Sequence, residues 1–207
     1  KEKKIVFTPL SDANAPPEGI KVRSFYAGMF NIASMSIDGG EKWTDKIAGT
    51  DFASTGNIIS AHAFNNLSFL SAESLGTAFG FFGTSTGEIW RVEGYFAVFT
   101  KVFTASPVSA INDIWCTPTY KVSGTEGSSS TGVYAVTENG RLYGSDKYGE
   151  VDSWELLYDF GGTYPLKAVK ANRPLGNFIF VAGGRGDQPS TFLQHNTGTS
   201  YTTWTSL

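Results

Sequence analysis

The most constraining feature of this sequence is a repeat of about fifty residues that occurs four times. Within each copy, two runs that alternate large apolar with small or polar residues are separated by a turn. The clearest examples of the later run are Glu88–Glu93 (EIWRVE), Arg141–Asp146 (RLYGSD) and Thr191–Asn196 (TFLQHN). Alternation with a period of two predicts β-strands, whereas no stretch of a dozen residues shows the helical period of 3.6. The chain is therefore expected to be all-β.

A short apolar run precedes each pair of alternating runs and a further run follows it, so each copy contains four predicted strands. The predicted first strands are 5–7, 58–61, 110–114 and 166–169, and the predicted fourth strands are 43–47, 99–102, 154–157 and 201–204. Four-stranded sheets repeated around an axis are the blades of a β-propeller.

We therefore predict a single β-propeller domain over residues 1–207, made of four four-stranded antiparallel blades. The predicted blades are approximately 1–50, 51–105, 106–160 and 161–207. A closed ring of four blades fits this length. The alternative is half of a larger ring that another chain completes.

One stretch gives the repeat a family resemblance. Residues 36–43 read Ser-Ile-Asp-Gly-Gly-Glu-Lys-Trp, which resembles the Asp box, Ser/Thr-x-Asp-x-Gly-x-Thr-Trp, of the BNR-type, sialidase-like β-propellers. The positions that keep the pattern are Ser36, Asp38, Gly40 and Trp43, while Lys42 departs from it. The remaining copies keep parts of the box at Glu93, at Asp146 and Trp154, and at Asn196, Gly198 and Tyr201. The resemblance indicates the Asp-box superfamily rather than a particular member.

The residues of the box suit a structural corner. Asp38 is able to accept hydrogen bonds from backbone amides of its own turn, and Gly40 supplies backbone conformations that other residues resist. Trp43 is expected to pack between neighbouring sheets with its indole N–H near a carbonyl. A single carboxylate falls far short of the six to eight oxygens that calcium prefers, so we expect neither a metal nor another cofactor. The resemblance implies that the boxes lie opposite the ligand-binding face.

Catalysis of the sialidase kind requires an arginine triad for the substrate carboxylate and a tyrosine–glutamate pair. Arg91 and Arg141 fall in predicted third strands, away from the central channel, and no arginine lies in an Arg-Ile-Pro motif. Paired aspartates in first strands, which a xyloglucanase-like site needs, are missing, because Asp113 stands alone there. We therefore expect no catalytic residue and no enzyme activity.

Composition excludes several partner classes. The net charge of −3 does not attract phosphate backbones, so nucleic acid is not expected as a partner. A single cysteine, Cys116, permits no internal disulfide. The sequence contains no run of 18 apolar residues, so no membrane-spanning helix is predicted.

The loops between blades, and those between second and third strands, are expected on the face opposite the Asp boxes. They are rich in Ser, Thr, Gly and aromatic residues and poor in charge, which suits contacts with a glycan or a protein. The candidate ligand-binding residues are Asp51, Phe52, Trp115, Tyr164, Arg185 and Asp187, the last two belonging to an Arg-Gly-Asp tripeptide.

The leading interpretation is a non-catalytic propeller that serves as a recognition or assembly module. Its low charge and polar loops favour an extracellular or virion-surface setting, such as a phage fibre or decoration protein, or a secreted adhesin. One alternative is a glycosidase-like or sialidase-like fragment, and another is an assembly factor for a larger complex. A homo-oligomer or a larger assembly is compatible with each of these hypotheses.

Overall fold

The described part of the chain consists of β-strands and the connections between them. The structure is a computed structural model. It describes residues 4–7, 25–36, 42–64, 79–93, 98–116, 132–145, 149–162, 164–172, 178–184, 191–196 and 204–206. Across these ranges there is no helix of the length and apolar character that a membrane crossing requires.

The strands form four antiparallel sheets, and each sheet takes four strands that are consecutive in the sequence. Sheet 1 contains β1 (Lys4–Phe7), β2 (Phe25–Met29), β3 (Ile32–Ser36) and β4 (Thr44–Ile47). Sheet 2 contains β5 (Ile58–Phe64), β6 (Phe79–Thr84), β7 (Glu88–Glu93) and β8 (Val98–Thr104). Sheet 3 contains β9 (Ile111–Cys116), β10 (Val133–Thr137), β11 (Arg141–Ser145) and β12 (Trp154–Asp159). Sheet 4 contains β13 (Leu166–Asn172), β14 (Phe178–Gly183), β15 (Thr191–Asn196) and β16 (Thr205–Ser206).

The order of strands within every sheet follows the order in the chain, from the first strand at one edge to the fourth at the other. The first strands approach one another from sheet to sheet, β1 to β5, β5 to β9 and β9 to β13. They therefore form the inner edges of the sheets, and the fourth strands form the outer edges. The prediction of four four-stranded antiparallel blades is confirmed.

The apolar core lies between the sheets, because each strand alternates its side chains between the two neighbours. Phe81 and Phe82 of β6 illustrate this rule, since both are 0 % exposed yet belong to different clusters. Phe82 packs with Met35 between sheets 1 and 2. Phe81 packs with Val133 between sheets 2 and 3. A third cluster, which contains Val181, fills the space between sheets 3 and 4.

Hydrogen bonds from side chains to backbone reinforce these junctions near the inner edges. Ser60 Oγ donates to the carbonyl oxygen of Ile111 at 2.8 Å, which joins sheets 2 and 3. Trp115 Nε1 donates to the carbonyl oxygen of Ala171 at 2.9 Å, which joins sheets 3 and 4. Such bonds satisfy buried polar groups that would otherwise cost free energy.

The last strand differs from the sequence-based prediction. It was predicted at 201–204, but β16 is Thr205–Ser206 and pairs with Leu193 and Gln194. Trp204 instead precedes the strand and packs against Tyr158 of β12 and Phe160 just after it, with ring centroids 5.6 and 4.8 Å apart. Aromatic burial against the preceding sheet therefore sets where this outer strand begins.

Candidate binding face

The loops that connect the strands of the propeller lie at the two opposite ends of its sheets. The turns between second and third strands lie at the same end as the linkers between sheets, because the strands are antiparallel. Backbone hydrogen bonds join these two kinds of connection, from Ala105 N to Gly87 O and from Phe160 N to Gly140 O, both at 2.8 Å. We call this end the linker face. It is the end where the sequence analysis predicts that a ligand binds.

Two turns on the linker face share a Thr-x-x-Gly pattern. Thr84 Oγ1 accepts a hydrogen bond from the amide of Glu88, and Thr137 Oγ1 accepts one from the amide of Arg141, each at 3.0 Å. The glycines that precede these amides have φ of 82° and 80°, a region that residues with a Cβ rarely adopt. Sequence reasoning missed this pattern, although Thr-Ser-Thr-Gly and Thr-Glu-Asn-Gly are both readable in the chain.

The residue after the glycine in sheet 2 is a buried glutamate. Glu88 Oε2 accepts hydrogen bonds from Ser54 Oγ at 2.8 Å and from Trp90 Nε1 at 3.1 Å. Lys101 Nζ lies 3.3 Å from Glu88 Oε1. Burial acts to raise the pKa of Glu88, but the hydrogen bonds from Trp90, Ser54 and Lys101 outweigh it, so the pKa is lowered. This carboxylate ties the linker between sheets 1 and 2 to the edge of sheet 2.

The corresponding residue in sheet 3 is Arg141. Its Nε lies 3.0 Å from Asp159 Oδ2, and its Nη1 donates to the carbonyl oxygen of Ser106. The hydroxyl of Tyr143 donates to the same carbonyl at 3.0 Å. A guanidinium therefore connects the linker between sheets 2 and 3 to sheet 3, as the carboxylate of Glu88 does one sheet earlier.

The turn 138–140 of sheet 3 sits between two linkers. Glu138 N donates to Ala110 O at 3.0 Å, and Asn139 N donates to Ser109 Oγ at 3.0 Å. On the other side, a Cβ placed on Gly140 would lie only 2.7 Å from the carbonyl oxygen of Tyr164. The backbone of this turn is consequently held in place from both neighbouring linkers.

Four exposed residues belong to this turn, to the linkers that contact it or to the start of β13, and we call them the sheet 3 patch: Val108, Glu138, Tyr164 and Lys167. Val108 is 69 % exposed and Tyr164 is 42 % exposed. Glu138 and Lys167 form an exposed ion pair, and Asn112 also donates to Glu138. Partial burial acts to raise the pKa of Glu138, but the hydrogen bonds from Lys167 and Asn112 lower it overall. The patch thus offers apolar surface beside both signs of charge.

The predicted contact residues do not converge on one point. Asp51 lies in the linker between sheets 1 and 2, where its Oδ2 accepts a hydrogen bond from the amide of Ile47 at 2.7 Å. Phe52 is buried there, stacked on Phe99 with ring centroids 4.5 Å apart. Tyr164 lies in the linker between sheets 3 and 4, on the same face but at a different junction.

Trp115 lies near the far end of β9, away from the linker face. Its ring contacts Lys170, whose Nζ is 4.2 Å from the ring centroid. Beside it, the buried carboxylate of Asp113 accepts a hydrogen bond from the amide of Val169 at 3.1 Å. Asp113, which the sequence analysis identified as the lone carboxylate in a predicted first strand, therefore joins sheet 3 to sheet 4. Arg185 and Asp187 lie outside the described residues.

Of the described Asp-box positions, Trp154 lies at a junction between sheets. Trp154 packs against Phe81 and Phe103 of sheet 2, with ring centroids 6.4 and 5.3 Å apart. Within the described part of the chain, its buried indole N–H has no hydrogen-bond partner, unlike the carbonyl contact expected for the box tryptophan. Trp43 is half-buried just before β4, and Glu93 pairs with Arg91 at the end of β7.

The other box positions are described only in part or not at all. Ser36 and Asn196 end β3 and β15, and only their backbone is described. The remaining box positions, which lie outside the described residues, are Asp38, Gly40, Asp146, Gly198 and Tyr201.

No set of three His, Cys, Asp or Glu side chains converges as metal ligands in the described ranges. Cys116 is a buried free thiol, and its burial raises its pKa well above the usual range. A protonated thiol of this kind is a poor nucleophile. The described chemistry of the linker face is therefore that of hydrogen bonding, ion pairing and apolar contact.

No family model matches the sequence, and no match to a curated protein was found. Solved structures share the fold. A GH74 enzyme of Niastella koreensis aligns with a TM-score of 0.58 and 18 % identity over 89 % of this chain and 28 % of its own. The GH74 xyloglucanase of Xanthomonas campestris gives 0.58 and 11 %, over 98 % of this chain and 30 % of its own.

A third similar structure is YCF48 bound to D1 peptide, with a TM-score of 0.57 and 13 % identity over 98 % of this chain and 53 % of its own. The chain thus spans about half of YCF48 and less than a third of either GH74 chain. At these identities the likeness concerns the fold alone. The fold is a β-propeller built of four four-stranded antiparallel sheets.

Proposed function

We propose that this chain is a non-catalytic recognition module that binds a segment of another protein at the sheet 3 patch. The observation that carries the proposal is the combination of exposed Val108 and Tyr164 with the Glu138–Lys167 ion pair around a backbone that is fixed on both sides. Rigid loops lower the entropic cost of binding, and mixed apolar and polar surface suits a polypeptide.

The absence of catalysis is part of the same proposal. Asp113 is engaged by the backbone amide of Val169 and by Lys170, which supports a structural role for that carboxylate. Glu88, the other buried carboxylate among the described residues, is held by three donors, Ser54, Trp90 and Lys101. YCF48, which shares the fold, was solved with a peptide bound, and this precedent favours a protein ligand over a glycan.

A selection of peptides displayed on phage tests the proposal, followed by titration of the selected peptides against purified variants. V108E and K167E are expected to weaken binding by about tenfold or more, because each removes a contact worth roughly 1–3 kcal/mol. V151E is the matched control, since Val151 is also an exposed valine, at 52 %, but lies in the turn between β11 and β12. Its binding should equal that of the wild type.

Three outcomes would contradict the proposal. Selected peptides that bind V108E as tightly as the wild type would contradict it, and so would a V151E variant that loses binding as V108E does. Turnover of fluorogenic sialosides or xyloglucan oligosaccharides by the purified chain would refute the non-catalytic part and favour the glycosidase alternative.

A further inference from the structure

Ion pairs toward the linker-face end of the sheets balance their charges. In each of them, a cation on one segment of the chain meets an anion on another. The four pairs are Lys46–Asp51, Lys101–Glu88, Arg141–Asp159 and Lys167–Glu138. Their charges sum to zero, so these residues create no field of a single sign that would attract a charged partner.

The pair in the sheet 3 patch is the most accessible of the four. The side chain of Lys167 is 57 % exposed and that of Glu138 is 47 % exposed, whereas each other pair has at least one side chain that is 36 % exposed or less. Asn112 Nδ2 donates to Glu138 Oε2 at 2.5 Å and to the carbonyl oxygen of Leu166 at 2.7 Å. The carboxylate is therefore both open to solvent and fixed in position.

This pair presents a donor and an acceptor side by side. The ammonium group of Lys167 has three N–H donors, of which one reaches Glu138. The carboxylate of Glu138 has two oxygens, and both of its described hydrogen bonds arrive at Oε2. A peptide group carries the complementary functions, a carbonyl that accepts and an N–H that donates. Val108, in the linker that contacts the turn, adds exposed apolar surface.

We propose that the sheet 3 patch binds an extended, uncharged peptide segment by its backbone. A carbonyl of the segment accepts from Lys167, an N–H donates to Glu138, and an apolar side chain covers Val108. The segment is extended because the backbone groups of a helix already pair with one another. Main-chain hydrogen bonds of this kind supply affinity, and the apolar contact selects the side chain. This inference rests on the proposed function and adds the chemistry of the ligand.

The wild-type chain and its selected peptides give the first test. The dissociation constant should change by less than about threefold between low salt and roughly 0.5 M salt, because the contact neutralises no net charge. Exchanging charged residues of the peptide for glutamine should leave its affinity unchanged. Methylation of the backbone nitrogens, one at a time, should reveal a position where affinity falls roughly tenfold or more, since a hydrogen bond to a charged group is lost there.

Reversal of the ion pair gives the second test. E138K and K167E each place two like charges together, and each should weaken binding by about tenfold or more. The double variant E138K/K167E restores one donor and one acceptor, so it should bind within about threefold of the wild type. K46E is the matched control, because it makes the same charge change as K167E toward the same end of the sheets but beside Asp51. Its affinity should equal that of the wild type.

The outcomes separate this inference from the proposed function. Failure to select any peptide that binds at the patch would refute both. Peptides that bind there but lose more than about tenfold in affinity at high salt, or that need a charged residue of their own, would overturn only the uncharged ligand. An E138K/K167E chain that unfolds in urea like the wild type and does not bind would do the same. The salt and methylation titrations use the wild-type chain, so their results do not depend on the folding of any variant.

Discussion

The turns that enter β7 and β11 have the same backbone and opposite charges. In both, a threonine hydroxyl holds the first amide of the third strand and a glycine with positive φ accepts a hydrogen bond from the next linker. The side chain that follows reaches back to the preceding linker in both sheets. In sheet 2 that side chain is Glu88, which meets Ser54, and in sheet 3 it is Arg141, which meets Ser106.

The side chains that pair with Glu88 and Arg141 are reversed in charge as well. Lys101 of β8 faces Glu88, and Asp159 of β12 faces Arg141. The repeated element is therefore the backbone turn, and the charge next to it is free to change sign when the outer strand changes with it. What remains different is burial, because the side chain of Glu88 is 12 % exposed and that of Arg141 is 22 % exposed. Four experiments test this comparison.

The largest effect is expected at the glycine. G140A forces a side chain into positive φ and against the carbonyl oxygens of Gly161 and Tyr164, which should lower the free energy of unfolding by about 2–5 kcal/mol. Gly161 supplies the control, since its φ is 86° but a Cβ there meets nothing within 4 Å. G161A should cost only about 1–2 kcal/mol in urea unfolding. Equal losses would mean that the contact with the linker is unimportant.

The next effect is expected at the charged position. E88A leaves the buried donors of Ser54 and Trp90 without an acceptor, which should cost about 2–4 kcal/mol. E88Q keeps an acceptor and should cost less, about 1–2 kcal/mol. R141A should lose less stability than E88A because the side chain of Arg141 is more exposed than that of Glu88. A larger loss for R141A, measured by the same urea titrations, would reverse our ranking of the two turns.

Acid should remove the contribution of Glu88. Because the pKa of Glu88 is lower in the folded chain than in the unfolded one, its stabilisation is complete above the unfolded value of about 4.3 and declines as the pH falls through the folded value. The stability difference between the wild type and E88Q should therefore shrink below about pH 4. E155Q, at an exposed position in β12, is the matched substitution that leaves Glu88 and its partners in place. A difference that persists at low pH would contradict the role of the carboxylate charge.

The smallest effect is expected at the outer strand. Lys101 has a side chain that is 48 % exposed, so its ion pair with Glu88 is largely screened by water. K101M should cost roughly 0.5 kcal/mol or less in thermal unfolding. D159N in sheet 3 gives the matched measurement, and a loss above about 2 kcal/mol for either variant would show that these pairs are more than surface contacts.

The alternation of side chains was sufficient to locate most strands. The bounds of β7 and β15 agree with the predicted runs, because each has two neighbours in its sheet and alternates throughout. The predicted start of β16 was wrong, because Trp204 contacts the aromatic rings of Tyr158 and Phe160, which are far away in the sequence. A pattern that records only local periodicity does not contain that contact.

The site was harder to predict than the fold for the same reason. Ser54 and Glu88 are 34 residues apart in the chain, and no local signal pairs them. Phe52 is an aromatic residue in a loop that was predicted to bind a ligand, but its ring is buried against Phe99. The patch around turn 138–140 combines three segments of the chain, and only Tyr164 of its members had been singled out from the sequence. Its role in ligand binding stays a prediction.

Each sheet is made from contiguous sequence, with its first strand at the inner edge and its fourth strand at the outer edge. In sheet 3, the inner strands β9 and β10 are buried almost throughout, whereas half of the residues of the outer strand β12 are exposed. Amide hydrogens of β9 and β10 should accordingly exchange with solvent more slowly than those of β12. Exchange rates within one sheet would then form a gradient from the inner edge to the rim.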